Sequence, residues 1–236
     1  MAKDRRERLL YKAFWQRIME KLTAIIIARD EELMLGGCLK SLGWMDEIVL
    51  VDGGSIDRTI EIAKKYKSKI VKLSRQKVIN YSKPRNLGLK KASGEWVFYI
   101  DADERVTKEL AGEIKAVLKN PKFQHYAIPR KNIVLGKELR YGGQRPDYVK
   151  RLFSKRELKG WKGKLHEEPL ISGEIGHLKN RLTHEKHETL AEMVEKTNRW
   201  SDIEARLMFD AGHPKMNILR FITADRDWET DRKSVV

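Results

Sequence analysis

The fold is decided by residues 96–105, which read WVFYIDADER. A short run of β-prone apolar and aromatic residues follows the turn signal Ser93-Gly94 and stops at two carboxylates, Asp101 and Asp103. The pattern predicts a buried parallel strand with both acids at its carboxyl end, where open α/β sheets bind their ligands. Alternate residues of an extended segment point the same way, so both acids are expected to face one site. A solvated Asp-x-Asp at a strand end is the simpler alternative.

The chain before and after this strand alternates between apolar runs and amphipathic segments. We predict strands at 22–28, 47–51 and 70–73, with a helix after each, and a helix that begins after Thr107 and ends at Leu118. This order is typical of an α/β fold with a mostly parallel, Rossmann-like sheet flanked by helices.

Acidic residues follow three of the predicted strands. Asp30 and Glu31 come after the first strand, Asp52 comes after the second, and Asp101 and Asp103 come after the strand quoted above. One acid after a strand caps a helix more often than it binds a ligand. Three such strand ends at one edge of a sheet indicate a pocket.

Phosphate groups would have to be held in this pocket without a glycine-rich loop. The chain lacks both the Gly-x-Gly-x-x-Gly turn of dinucleotide sites and the Gly-x-x-x-x-Gly-Lys-Ser/Thr loop of nucleoside triphosphatases. A divalent cation on Asp103, helped by Arg85, is the natural alternative. Glu31 and Asp52 can accept hydrogen bonds from base N–H groups or ribose hydroxyls. Together these features fit a nucleoside diphosphate.

Composition points to an anionic partner inside a reducing compartment. The net charge is +15, and Cys38 is the one cysteine, which rules out an internal disulfide. No apolar run approaches the ~20 residues that cross a bilayer. We therefore expect a cytoplasmic protein. A basic nucleic-acid-binding protein is the non-enzymatic alternative, and the charge favours it. Nucleic acid is nevertheless not an expected partner, because no known binding motif is present and aromatic residues are not interleaved with the basic clusters.

We divide the chain into three parts. They are a basic amphipathic segment at 1–20, an α/β domain at 21–186 and a helical extension at 187–236. The first segment either lies on the anionic inner face of the cell membrane or packs on the domain as an ordinary helix. Within the domain, further strands are predicted at 124–129 and 149–154, with a loop at 136–143. The extension is predicted to hold one helix at 187–211 and a short one at 216–222.

Motifs along the chain occur in the order found in family 2 glycosyltransferases of GT-A fold, which the sequence resembles over residues 20–210. They are ARDE at 28–31, VDGGSIDRT at 51–59, KPRN at 83–86 and IDADER at 100–105. Later motifs resemble the bacterial branch that includes lipopolysaccharide-core glucosyltransferases. They are PRKN at 129–132, RPD at 145–147, RLF at 151–153 and HE at 166–167. Arg29-Asp30 and Gly53 depart from the residues common in the family, but neither departure removes a required carboxylate.

The resemblance implies an inverting, metal-dependent enzyme that moves a hexose, glucose first, from a UDP-sugar to a hydroxyl of a glycan or lipid-linked acceptor of the cell envelope. The implied donor-binding residues are Ala28, Asp30, Glu31, Asp52, Arg85, Asp101 and Ala102. The implied ligands of Mn²⁺ or Mg²⁺ are Asp101 and Asp103. We choose Glu167 as the general base, which typically supplies ~10²- to 10⁴-fold, and Asp147 as the second candidate.

Two further readings of these residues stay open. An Asp-x-Asp phosphatase would use Asp101 as its nucleophile, although such motifs normally lie nearer the N-terminus with Thr or Val where Arg105 stands here. His166 and His184 are additional candidate metal ligands. The spacing of His184 and His187 resembles that of a zinc site, but no cysteines accompany it.

Overall fold

The computed structural model describes residues 21–74, 80–139, 147–163, 167–186 and 189–210. The chain divides into two compact units, one that ends at Lys186 and one that begins at His187. None of the described helices is long and apolar enough to span a membrane. The predicted N-terminal segment, His166 and the predicted helix at 216–222 lie outside the described residues.

The first unit begins with the predicted alternation of strands and helices. Its strands are β1 (Leu22–Ala28), β2 (Glu47–Asp52), β3 (Lys69–Lys72), β4 (Trp96–Asp101), β5 (Glu104–Arg105), β6 (His125–Val134), β7 (Lys137–Glu138), β8 (Tyr148–Ser154), β9 (Trp161–Lys162), β10 (Glu168–Pro169), β11 (Ile175–His177) and β12 (Leu182–Lys186). Its helices are α1 (Leu35–Ser41), α2 (Thr59–Lys65), α3 (Ser82–Lys91) and α4 (Lys108–Lys119). In the second unit the structure describes one helix, α5 (Leu190–Asp210).

The main sheet has the strand order β3-β2-β1-β4-β8-β6-β12-β5. The strands β3, β2, β1 and β4 are parallel, as the alternation predicted. The strand β8 runs antiparallel to both β4 and β6, whereas β12 is parallel to β6 and β5 is antiparallel to β12. The predicted α/β fold with a mostly parallel sheet and flanking helices is confirmed.

Alternation along β4 sends side chains into a core on each face of the sheet. Phe98 and Ile100 belong to the cluster that also contains the buried residues of α1 and α4. Val97 and Tyr99 belong to the opposite cluster, with Phe153 of β8. The long apolar runs of the central strands follow from this burial on both sides.

Several strands in the second half of the domain differ from the sequence prediction. The strand β6 continues to Val134, although its apolar pattern stops at Pro129, because residues 130–134 pair in register with β12. The strand β12 itself was not predicted, and neither were the short strands β7, β9, β10 and β11. The strand β7 lies within the predicted loop at 136–143, where it pairs with the end of β6. The extra pairing places Asn132 directly beside His184.

Gly88 provides a test of the packing between α3 and the sheet. A Cβ at this position would lie 2.4 Å from Ile25 Cγ2 and 3.3 Å from Val51 Cγ2. We expect Gly88→Ala to lower the free energy of unfolding by about 1–3 kcal/mol, because overpacking outweighs the better helix propensity of alanine.

Gly112→Ala in α4 is the matched control, since a Cβ there meets no described atom within 4 Å. It should raise the free energy of unfolding by up to about 1 kcal/mol. Urea denaturation of both variants measures the difference. Equal stability of the two variants would contradict the packing described.

Candidate active site

The Asp-x-Asp turn lies where β4 ends and β5 begins. The backbone N–H of Asp101 donates a hydrogen bond to Glu104 Oε2 at 3.0 Å, which closes the turn. The carbonyl oxygen of Asp103 accepts a 2.8 Å hydrogen bond from the N–H of Glu185 on β12. The side chain of Glu104 and the neighbouring strand β12 therefore both hold this turn in place.

Beneath this turn lies a charge cluster made of Arg85, Asp101, Glu104, Arg130 and Arg151, in which Glu104, Arg85 and Arg151 are buried and Asp101 is partly exposed. Glu104 has no exposed surface. Arg151 Nη2 contacts both Asp101 Oδ2 and Glu104 Oε1, the latter at 2.7 Å. Arg130 Nη1 lies 3.5 Å from Glu104 Oε1, and Arg85 Nη2 lies 3.6 Å from Asp101 Oδ1. Each of the two acids thus has two guanidinium partners.

The arginines set the ionisation of Asp101. Burial by itself would raise the pKa of this carboxyl group, but the charges of Arg151 and Arg85 outweigh burial and hold the pKa well below its usual range. Asp101 is therefore a carboxylate at neutral pH, with its oxygens already engaged by arginines.

Asp103 differs from Asp101 in having an unpartnered buried oxygen. Its Oδ1 atom is buried and has no hydrogen-bond partner among the described residues. Its Oδ2 atom lies 3.4 Å from His184 Nε2. Within the part of the chain that the structure describes, no group of three or more His, Cys, Asp or Glu side chains is arranged to hold a metal ion. The fold does bring the Asp103 carboxylate and the His184 imidazole together.

The second ring nitrogen of His184, Nδ1, contacts a row of polar side chains. Its Nδ1 atom lies 2.8 Å from Asn132 Oδ1, and Asn132 Nδ2 donates to Asp147 Oδ2 at 2.9 Å. Arg130 donates to the same Asp147 oxygen from Nε and lies 2.9 Å from it through Nη2. Burial opposes the charged form of Asp147, but the hydrogen bonds from Arg130 and Asn132 lower its pKa below the usual value.

Glu167 lies on the other side of the charge cluster, against Arg85. Arg85 Nε and Nη2 approach Glu167 Oε1 at 2.7 and 2.6 Å. The guanidinium also lies over the rings of Trp161, at 4.8 Å from the centroid, and Tyr99, at 5.6 Å. Asn86, the next residue of α3, exchanges two hydrogen bonds with the Trp161 backbone. Helix α3 therefore carries Arg85 and also contacts β9, the strand that precedes Glu167.

The acids predicted to follow β1 and β2 lie at the same edge of the sheet. Asp52 is buried and accepts hydrogen bonds from the N–H groups of Gly54 and Ser55, at 3.2 and 3.1 Å. Asp30 has a positive φ of 56° and accepts a 2.8 Å hydrogen bond from the N–H of Ile56. These contacts tie the loop after β1 to the loop after β2.

Backbone groups complete this edge. The Ala28 carbonyl oxygen accepts from the N–H of Gly53 at 2.9 Å, and the N–H of Glu31 donates to Thr59 Oγ1 at 2.8 Å. The predicted donor-binding residues after β1 and β2 therefore lie close together. Arg85 and Asp101 also lie close to each other, and Ala102 follows Asp101 in the turn after β4.

Comparison with known proteins identifies the family. A sequence profile of glycosyl transferase family 2 matches residues 23–173, more than half of the chain. The chain belongs to this family. Its relatives include a lipopolysaccharide core biosynthesis glycosyltransferase, LpsC of Rhizobium meliloti (strain 1021), which is 28% identical over 201 residues. That match covers 81% of this chain and 73% of LpsC.

Solved structures with this fold include two glycosyltransferases. Staphylococcus aureus TarS 1–349 in complex with UDP-GlcNAc superposes with a TM-score of 0.55 at 21% identity, and the match covers 72% of this chain and 59% of that one. Glucosyl-3-phosphoglycerate synthase from Mycobacterium tuberculosis, in complex with Mn²⁺, UDP and glucosyl-3-phosphoglycerate, superposes with a TM-score of 0.51 at 15% identity. That match covers 83% of this chain and 81% of that one. Both confirm the GT-A fold of this family 2 member.

The sequence did not identify every residue that builds the site. Glu104, Asn132 and the central position of Arg151 were missed. A local signal existed for Glu104, because an acid that directly follows an Asp-x-Asp turn is placed to fold back on it. Asn132 had no such signal, since its role depends on the pairing of β6 with β12.

Substitution of Glu104 tests the charge cluster. In Glu104→Gln, one carboxylate oxygen becomes an N–H donor that faces the donors of Arg151, Arg130 or the Asp101 backbone. We expect the free energy of unfolding to fall by about 3–5 kcal/mol, because buried guanidinium charge loses its partner.

The control for this variant is Glu61→Gln, which removes exposed ion pairs with Arg58 and Lys65. Its stability should stay close to that of the unchanged chain. Thermal and urea unfolding compare the two. If Glu104→Gln were no less stable than the control, the cluster would not stabilise the fold in the way described.

Proposed function

We propose that this family 2 member is an inverting, metal-dependent transferase that moves a hexose, with glucose as the first candidate, from a UDP-sugar to a hydroxyl of a cell-envelope glycan. The observation that carries the proposal is the Asp103 carboxylate, whose buried Oδ1 has no hydrogen-bond partner among the described residues and whose Oδ2 lies 3.4 Å from His184 Nε2. It lies at the carboxyl end of β4, the edge where α/β sheets bind ligands. Family membership favours this activity over the phosphatase and nucleic-acid alternatives.

The names of the relatives support the finer parts of the proposal. LpsC is named for lipopolysaccharide core biosynthesis, which suggests an envelope glycan or lipid-linked acceptor. TarS was crystallised with UDP-GlcNAc, and the phosphoglycerate enzyme with Mn²⁺ and UDP. A net charge of +15 also suits peripheral contact with the anionic cytoplasmic face of a membrane.

The residues present suit a hard divalent cation. Asp103 and His184 would hold Mn²⁺ or Mg²⁺. Asp101 is the other cation ligand that the sequence predicts, but its two oxygens contact Arg85 and Arg151, so we assign His184 in its place. When bound, such a cation neutralises charge on the diphosphate. The unpartnered Asp103 oxygen fits this role, because a buried carboxylate oxygen without a donor is costly unless a ligand supplies positive charge.

The donor would lie along the edge formed by the loops after β1, β2 and β4. We assign uracil and ribose to Asp30, Glu31 and Asp52, with Ala28 and Ala102 as backbone neighbours. Arg85 would contact the diphosphate, since its guanidinium already lies between Asp101 and Glu167. The aromatic rings of Trp161 and Tyr99 keep that guanidinium in place.

Glu167 is the proposed general base, and Arg85 orients its carboxylate through Oε1. In the transfer, the acceptor hydroxyl gives its proton to Glu167 while its oxygen bonds to the anomeric carbon. The bond between that carbon and the diphosphate oxygen breaks, and UDP leaves with the electron pair. Positive charge develops on the sugar ring as in glycoside hydrolysis. Attack from the face opposite UDP inverts the anomeric configuration.

Binding of UDP with Mn²⁺ should depend on Asp103. We expect UDP and Mn²⁺ together to raise the melting temperature of the unchanged chain, and Asp103→Asn to remove that shift because it weakens the cation's ligand. Differential scanning fluorimetry measures both. Glu174→Gln, at an exposed position, is the control and should keep the full shift. A full shift in Asp103→Asn would contradict the metal assignment.

Glu167→Gln should separate chemistry from binding. A glutamine keeps the size of the side chain but cannot take a proton, so UDP release from UDP-glucose in the presence of a lipopolysaccharide-core acceptor should slow by about 10²- to 10⁴-fold. The melting shift with UDP and Mn²⁺ should remain. A rate within a few-fold of the unchanged chain would assign the base to another residue.

A further inference from the structure

A row of four side chains crosses β6 and β12 and ends at Asp103. Arg130 and Asn132 are alternate residues of β6 and therefore share a face of the sheet. His184 is the register partner of Asn132 on the parallel neighbour β12. Asp147, which immediately precedes β8, closes the row by contacting both β6 residues. Asn132 and His184 are both almost fully buried, at 6% exposed.

The direction of each hydrogen bond in this row is fixed by chemistry. Arg130 can only donate, and it places two nitrogens 2.9 Å from Asp147 Oδ2, which favours an ionised Asp147. An ionised carboxylate can only accept, so the Asn132 atom that faces it must be the N–H donor Nδ2. The carbonyl oxygen Oδ1 of Asn132 is then turned towards His184.

This direction determines the proton position on His184. Because Asn132 Oδ1 can only accept, the His184 Nδ1 atom 2.8 Å away must carry a hydrogen. In the neutral imidazole the other nitrogen, Nε2, then holds the lone pair, and it is Nε2 that faces Asp103 at 3.4 Å. The contact is to Asp103 Oδ2, and the other oxygen of this carboxylate, Oδ1, is buried with no hydrogen-bond partner among the described residues. A nitrogen lone pair next to such a carboxylate suits a divalent cation.

We propose that Asn132, oriented by Asp147 and Arg130, is a positioning residue that holds His184 in its Nδ1–H tautomer and thereby presents Nε2 to the cation site at Asp103. The cation part of this inference rests on the proposed function, whereas the tautomer does not. The inference also gives Asp147 a task different from that of a base. Both of its neighbours bind the same oxygen, Oδ2, and hold it in the row.

The tautomer is measured first, without metal or nucleotide. Long-range ¹H–¹⁵N NMR correlation spectra of the ¹⁵N-histidine-labelled chain, at a pH where the imidazole is neutral, distinguish a protonated Nδ1 from a protonated Nε2. We expect Nδ1–H in the unchanged chain and a shift towards Nε2–H in Asn132→Leu, which removes the acceptor but keeps the number and branching of the side-chain heavy atoms. Asn132→Ala gives the same readout if leucine is not accommodated.

Asn180→Leu is the matched control. Asn180 donates to Glu113 Oε2 and lies outside this row, so its replacement should leave the Nδ1–H tautomer of His184 unchanged.

The second readout is Mn²⁺ affinity, measured by electron paramagnetic resonance of free Mn²⁺ with no nucleotide present. Loss of a residue that orients a metal-bound histidine typically weakens binding 10- to 100-fold, and we expect Asn132→Leu to fall in this range and Asn180→Leu to keep the affinity of the unchanged chain. An unchanged tautomer or an unchanged affinity in Asn132→Leu would overturn the inference.

The two readouts keep this inference separate from the proposed function. If the unchanged chain bound no Mn²⁺, the cation assignment of the proposed function would be wrong. The tautomer spectra would still decide whether Asn132 controls His184.

Discussion

The site depends on one constraint, which is that the Glu104 carboxylate is completely removed from water. A buried charge is stable only when opposite charge and hydrogen bonds surround it. Burial raises the pKa of Glu104, and the charges of Arg151 and Arg130 oppose that rise, while the backbone N–H of Asp101 donates a hydrogen bond to the carboxylate. Because Arg151 also contacts Asp101, the same requirement fixes the first acid of the Asp-x-Asp turn.

The two acids of the turn consequently have different roles. Asp101 is paired with guanidinium groups that keep it ionised, so it links the turn to α3 and β8. Asp103 keeps a buried oxygen that has no donor among the described residues, and its other oxygen faces His184. Under the proposed function, the paired acid fixes the turn and the acid with the unpartnered oxygen is left for the cation.

The sequence predicted the half of the site that comes from local pattern. Apolar runs that stop at acids located the ends of β1, β2 and β4, and the motif order indicated the GT-A fold of family 2. The other half depends on pairing between distant strands. The strand β12 carries the short sequence Leu182-Thr183-His184-Glu185-Lys186, whose alternation is too brief and too charged to stand out, and the polar end of β6 has no apolar period. The sequence therefore predicted His184 only as one candidate metal ligand among several, and it did not indicate Asn132 as a site residue.

The most direct test of the central claim is the position of Mn²⁺ in crystals grown with UDP and Mn²⁺. If Asp103 and His184 hold the cation, we expect an anomalous-scattering peak within bonding distance, roughly 2.0–2.3 Å, of both an Asp103 carboxylate oxygen and His184 Nε2. A peak elsewhere at the sheet edge, or no peak while UDP is bound, would contradict it.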